Sequence, residues 1–248
     1  MSRTLYAIHR WISAVAFVQL AVWTLTGFFF VVVPMKRVHG EHLHGVHDVP
    51  IGQGPGALSP STAMACMAAA GMPDVSRLEL RATPAGLFYT GHAENRAVRL
   101  DARTCANAPV DRSEAEETAR RDQAGRPPVR SSELIEVASV EYRGKPLPAW
   151  RVVLDESNET TIYVDARTGE ITIRRNGVWR VYDFLWSLHI MSYETRDDFN
   201  HPLIIGAASL AVLTVVSGFS LWVLRVIRRL RSRRPRAPLE EPTQPEHP

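Results

Sequence analysis

The chain has 248 residues, a formal net charge of +3 and two cysteines. This length predicts one or two domains. Hydrophobic residues make up 45% of the chain, and many of them are concentrated in two long apolar blocks, which exclude an ordinary soluble protein. Seven arginines between Arg225 and Arg236 directly follow the second block, so this basic run indicates the flank of a membrane helix and excludes a nucleic-acid reader.

The first apolar block runs from Trp11 to Val33, which is 23 residues without a charge. A stretch of this length can cross a bilayer. A basic segment follows it, in place of the small-residue cleavage site of a signal peptide. We therefore expect an uncleaved transmembrane helix at residues 11–33, preceded by a short basic segment, residues 1–10, that contains His9.

Residues 34–58 are rich in His, Gly and Pro and show no periodicity, so we expect a linker. The densest histidine cluster of the chain lies here, with the members His39, His42, His44 and His47. Imidazole binds copper, zinc or nickel, and a flexible loop can wrap a metal ion. The four histidines are therefore candidate metal ligands, with a solvated linker as the alternative.

Helix and strand patterns alternate after this linker. We expect a helix that Ser59 or Ser61 caps and Gly71 ends, and a second helix behind a capping box of Ser113 and Glu116. The strand-like segments are residues 75–81, 87–90, 97–100, 134–142, 149–154, 160–164 and 170–174.

The sequence Asp-Ala-Arg-Thr occurs twice, beginning at Asp101 and at Asp165. Asp and Thr suit a tight turn between strands, and the glycine that ends the second copy, Gly169, can adopt a positive φ. Cys105 stands at the equivalent place in the first copy. We therefore expect two repeats of about 60 residues, each a helix on a small antiparallel sheet.

The two cysteines, Cys66 and Cys105, both lie in the block between the apolar segments. In an oxidising compartment such a pair can form a disulfide. The alternative is two unpaired, small buried residues, and the spacing does not decide between them.

An aromatic segment, residues 177–201, leads into the second apolar block and contains His189 and His201. The block itself begins at Pro202 and runs for 23 residues without a charge, which predicts a second span at residues 202–226. Small side chains recur along one stripe of this helix, and such a stripe allows close packing on the first span or on another copy of the chain.

Two spans place both termini on the same side of the membrane. The basic flanks are the two ends of the chain, which predicts cytoplasmic termini and an outward-facing segment of residues 34–201. This segment holds 20 Lys and Arg residues against 23 Asp and Glu residues, so it is mildly acidic.

The run PAWRVVLDESNETTIYVDARTGEITIRR resembles the PepSY domain. The runs LYAIHRWISA, LTGFFF and SGFSLW resemble the spans of PepSY-associated membrane proteins, so that the resemblance covers residues 4–226. It implies an α+β periplasmic domain of two PepSY-like units, carried by two transmembrane α-helices in a bacterial inner membrane. The implied segments are residues 1–10 cytoplasmic, 11–33 first span, 34–58 linker, 59–112 first unit, 113–176 second unit, 177–201 interfacial, 202–226 second span and 227–248 cytoplasmic tail.

Some proteins of this kind are inner-membrane siderophore-iron reductases that hold b-type haem between histidines of their spans, usually four in number. For this chain, the resemblance implies His9, His189 and His201 as haem ligands, with His9 requiring a second subunit or another protein as partner. An alternative for His189 and His201 is that they only mark the start of the second helix.

Two functions therefore compete. The first is periplasmic redox or iron chemistry, by haem-mediated electron transfer or as an accessory subunit of a redox complex. The second is a non-enzymatic, membrane-tethered module that binds a periplasmic peptide or protein. The expected partners are the lipid bilayer and either a second copy of the chain or a larger membrane complex. The sequence contains no G-x-S-x-G, P-loop or H-E-x-x-H motif, and whether the protein is an enzyme stays open.

Overall fold

The computed structural model describes residues 3–45, 56–94 and 96–232. The helices of this part are α1 (Arg3–Val32), α2 (Met35–Val38), α3 (Pro60–Ala69), α4 (Arg112–Asp122), α5 (Gly177–His189) and α6 (Pro202–Ser232). The strands are β1 (Arg77–Thr83), β2 (Gly86–Ala93), β3 (Arg96–Asp101), β4 (Val129–Ile135), β5 (Ala149–Leu154), β6 (Thr161–Asp165) and β7 (Ile171–Arg175). The strands form two antiparallel sheets, which confirms the α+β class.

The chain divides into two compact units. One unit consists of residues 26–197 and holds both sheets, and the other consists of residues 1–25 and 198–248. Two helical stretches, Arg10–Val32 and Pro202–Leu230, are long and apolar enough to cross a membrane. Length and composition therefore suggest that the protein associates with a membrane through both ends of the chain.

The first repeat packs α3 against the sheet β1-β2-β3. Ser59, one of the two serines predicted as the cap, caps α3 by accepting a hydrogen bond from the backbone N–H of Thr62. Met67 lies over Gly91 of β2, where an added Cβ would approach the Met67 sulfur to 2.9 Å. Cys66 of α3 and Cys105 form a disulfide, which resolves the alternative that the sequence left open.

The second repeat packs α4 against the sheet β4-β5-β6-β7. Ala115 and Ala119 place their small side chains on the sheet, so that the helix approaches closely. Their fully buried neighbours in this core are Val152, Leu154, Ile162 and Val164. Alternating positions of β5 and β6 thus supply the face that α4 covers, while Ala149 and Tyr163 are buried against Tyr142 in a separate cluster.

The two Asp-Ala-Arg-Thr turns have the same geometry. Asp101 accepts backbone hydrogen bonds from Arg103 and Thr104, and Asp165 accepts the equivalent bonds from Arg167 and Thr168. The residue that ends each turn has a positive φ, 58° for Cys105 and 77° for Gly169. The predicted repeat is therefore a structural repeat as well as a repeat of sequence.

A buried ion pair joins the two repeats. Arg99 of β3 donates from Nη2 to both carboxylate oxygens of Glu114 in α4, at 2.7 and 2.9 Å. Their side chains are only 1% and 6% exposed. Thr83 of β1 also donates to Glu114 at 2.8 Å, and the Arg99 guanidinium lies 3.6 Å from the centre of the Phe88 ring. One helix of the second repeat thus receives two contacts from the sheet of the first.

The start of α4 and the position of β4 differ from the predictions. Asp111 caps α4 by accepting from the Glu114 backbone N–H at 2.8 Å, and Ser113 donates its hydroxyl to Asp111 instead of capping the helix itself. The carboxylate therefore takes the place that the capping box assigned to the serine. Strand β4 ends at Ile135, and residues 140–142 form a 3₁₀ turn in place of the predicted strand.

Residues 34–45, the first part of the predicted linker, are packed on the second repeat. Val38 of α2 is buried, and Gly45 donates its backbone N–H to Asp122 at 2.8 Å. The backbone N–H of Ala124 donates to Leu43 at 2.8 Å in the same region. Backbone pairing, which leaves no sequence periodicity, therefore holds this part of the segment that was predicted to be a linker.

We expect Glu114→Ala to lower the free energy of unfolding by about 3–5 kcal/mol, because it leaves the Arg99 guanidinium buried without its carboxylate. Chemical denaturation of the full chain in detergent, followed by near-ultraviolet circular dichroism, measures this loss. Asp155→Ala is the matched control, since it breaks the exposed Arg130–Asp155 pair and should cost about 1 kcal/mol or less. Equal losses in the two variants would contradict the structural role of the buried pair.

Candidate functional site

Helix α5 presents an aromatic face to the last turns of α1. Asn176 caps the helix by accepting from the Trp179 backbone N–H at 2.8 Å. The Phe30 ring lies 4.7 Å from the Tyr182 ring and 5.9 Å from the Trp186 ring, measured between centroids. The end of the first apolar helix is thereby fixed to the helix that follows the second repeat.

His189 lies at the C-terminal end of this contact. Its Nδ1 is 2.7 Å from the Thr26 hydroxyl, and its ring is nearly parallel to Trp186 and edge-on to Phe30. An added Cβ on Gly27 would lie 4.0 Å from the imidazole, so the glycine backbone forms one side of the site. Burial lowers the pKa of His189, which favours the neutral imidazole, the form that binds metals.

The other two predicted haem ligands lie elsewhere in the chain. His9 lies within α1 directly before the first apolar stretch, and His201 directly precedes α6. Both belong to the compact unit that does not contain His189. The assignment of His9, His189 and His201 as haem ligands therefore stays a prediction.

The histidine-rich segment is placed only in part. His39 ends α2, and its Nδ1 lies 4.0 Å from a Glu41 carboxylate oxygen. His42 lies in a 3₁₀ turn, and His44 contacts the Arg174 guanidinium. His47 lies outside the described residues. The described members do not gather into a three-ligand group, and the assignment of these four histidines as metal ligands stays a prediction.

A polar groove of about 470 Å³ lies between the two repeats. One wall is the β2–β3 hairpin, another is the loop of residues 144–147, and the third is the second Asp-Ala-Arg-Thr turn. Its polar lining residues are His92, Glu94, Arg96, Lys145, Asp165, Arg167, Thr168 and Glu170. Such a groove can accept a polar chain segment that carries both signs of charge.

Three potential metal ligands meet beside this groove. Glu79 of β1, His92 of β2 and Glu170 place their ligand atoms within 4.8 Å of one another. Arg81 donates to Glu170 at 2.8 Å, and Arg77 lies 3.0 Å from Glu79. Both carboxylates are therefore neutralised by arginines, and the arrangement fits a network of ion pairs that holds the groove wall.

Sequence analysis did not identify the groove residues. Glu79, His92 and Glu170 come from three separate elements, and their spacing along the chain matches no ligand motif. The repeated turn was the available signal, because it placed Asp165 and Glu170 at an edge where the two sheets approach each other.

Residues 109–172 match the PepSY family, described as the peptidase propeptide and YPEB domain. The matched segment runs from just before α4 to the start of β7, and so covers most of the second repeat. No curated protein and no solved structure gives a significant match to the chain. The second repeat of this chain, residues 109–172, is a PepSY domain.

Proposed function

We propose that this protein is a membrane-tethered binding module that holds a polar peptide segment of another protein in the groove between its two repeats. The observation that carries the proposal is the groove itself, about 470 Å³ in volume and bounded by residues of both repeats. The buried Arg99–Glu114 pair fixes the repeats on either side of it. A preformed site of this kind binds without a large ordering cost.

The charges of the groove support a ligand with both signs of charge. Lys145 and Glu94 are exposed in the lining, and neither has an ion-pair partner among the described residues. The other charged lining residues are paired: Arg96 with Asp74, Arg167 with Asp165, and Glu170 with Arg81. One cation and one anion therefore remain to recognise a ligand, while the paired residues hold the walls.

The proposed location is outside the cytoplasm, in the periplasm of a bacterial inner membrane. The Cys66–Cys105 disulfide supports it, because disulfides persist in oxidising compartments. The arginines from Arg225 onward support cytoplasmic termini, because basic residues flank membrane helices on that side. The two repeats then face outward between the two spans.

We expect a photo-crosslinking amino acid at position 145 to form an adduct with one protein partner in living cells. The groove-filling variant Ala97→Trp should abolish that adduct, because residue 97 lines the same groove. The matched control is the same crosslinker at position 137, which is 79% exposed and does not line the groove. An adduct that survives Ala97→Trp, or that forms equally from position 137, contradicts the proposal.

A second candidate is haem-mediated redox or siderophore-iron chemistry, and His189 is the observation that favours it. Its ring is oriented by Thr26 and surrounded by Phe30 and Trp186, as an axial ligand in an apolar slot would be. His9 and His201 directly precede the first and second candidate spans, so in the proposed topology they would lie on opposite membrane faces, about 30 Å apart. They therefore cannot share one haem within a chain, and His9 would need a second copy or another protein.

An absorption spectrum of the detergent-purified full chain tests this candidate. If haem b is bound, the dithionite-reduced protein shows Soret and α bands that His189→Gln removes and the control His92→Gln retains. His92 is a suitable control because it lies on β2, in the first repeat. A colourless protein from haem-replete cells eliminates the redox candidate and leaves the binding module.

A further inference from the structure

A second cavity, of about 330 Å³, lies between the aromatic face of α5 and the loop that follows β4. Two arginines, Arg143 and Arg175, line it together with Tyr182 and Trp186. Tyr182 and Trp186 also contact Phe30 in the last turn of α1, and Phe30 belongs to the first apolar stretch. The cavity is therefore adjacent to the end of a candidate membrane span.

The two acidic residues of this cavity are already occupied. Asp183, which is only 4% exposed, accepts from Arg143 Nη2 at 2.9 Å and also contacts Arg196. Asp197 accepts from Arg143 Nε at 3.0 Å. Arg143 and Arg196 thus neutralise the two carboxylates of the cavity.

Arg175 is the remaining charge. Its Nε donates to the Glu141 backbone carbonyl at 2.9 Å, and its Nη1 donates to the Arg174 carbonyl at 3.4 Å. The guanidinium lies 3.8 Å from the centre of the Trp179 ring. Among the residues that the structure describes, no carboxylate forms an ion pair with Arg175, and its Nη2 has no hydrogen-bond partner.

The electrostatics of this half-buried arginine are unfavourable without a counter-charge. Burial is the main cause that lowers the pKa of Arg175 to about 10, and the neighbouring Arg143 also lowers it, while Asp183, Tyr163 and Glu141 act in the opposite direction without forming an ion pair with it. A guanidinium held in that environment lacks the carboxylate or phosphate that usually accompanies it. Two arginines and two aspartates line the cavity, and Arg196 also pairs with Asp183, so the cluster as a whole holds three arginines against two carboxylates.

We propose that this cavity binds the phosphate group of an anionic phospholipid, with Arg175 as the ligand. Guanidinium matches phosphate geometry through paired N–H donors. The aromatic residues support a lipid source, because Tyr and Trp sit at the headgroup level of membranes. Phe30 places the cavity beside the final turn of α1, where a headgroup would lie. This site is separate from the groove and does not depend on its occupant.

The melting temperature of the full chain in a neutral detergent tests the proposal, because a ligand that binds the folded state raises it. The probes are dihexanoyl phosphatidylglycerol, dihexanoylglycerol with the same chains and no phosphate, and sodium phosphate at matched ionic strength. We expect stabilisation by the phospholipid and none by dihexanoylglycerol. Arg175→Gln should weaken the apparent affinity about tenfold or more, the effect of losing a charged hydrogen bond.

Arg130→Gln is the matched control, because it removes the same charge from an exposed residue of β4 and should leave the affinity unchanged. If Arg175→Gln fails to fold, Arg175→Lys replaces it, since lysine keeps the charge and loses the paired donors. Stabilisation by phosphate equal to that by the phospholipid supports the phosphate site and assigns it a soluble ligand. Absence of stabilisation, or equal stabilisation of wild type and the Arg175 variant, overturns the proposal.

Discussion

The Arg99–Glu114 ion pair is the contact on which the arrangement of the two repeats depends. Glu114 lies in the first turn of α4, where the helix dipole favours a negative charge. It also accepts from Thr83, so its carboxylate receives three hydrogen bonds. Nε and Nη1 of Arg99 have no hydrogen-bond partner. Such a pair contributes little net stability, but it fixes the relative position of the two repeats, because any displacement of one repeat leaves a charge buried and unpaired.

Gly169 connects this ion pair to the repeated turn. An added Cβ at Gly169 would lie 3.3 Å from Arg99 Nη1, so a side chain there would press on the buried guanidinium. Its positive φ serves the turn, and its missing side chain leaves room for the arginine. The first copy accepts Cys105 at the same place, where the side chain is used in a disulfide with α3. The same turn sequence therefore leaves room for the buried arginine in one repeat and supplies a disulfide cysteine in the other.

Much of the fold was predictable because its signals are local. The apolar runs predicted α1 and α6, and the repeated turn placed the strands around Asp101 and Asp165. The missed features depend on contacts between distant residues: the segment from Met35 to Gly45 is fixed by backbone pairing. The density of histidines predicted a metal site in that segment. The groove carries no such signal, because its charged residues become neighbours only after folding.

The cavity beside α1 could not be predicted from the sequence either, because it too is formed by residues that are far apart in the chain. Arg143 pairs with Asp183 and Asp197 across 40 and 54 residues, so the sequence cannot show which arginine lacks a partner. Strand β7 runs from the groove to the cavity: it begins directly after Glu170, which lines the groove, and ends at Arg175, which lines the cavity. Five residues of extended strand span roughly 17 Å. Asn176 follows directly and caps α5, so strand β7 connects the groove wall to the helix that contacts the end of the first apolar helix.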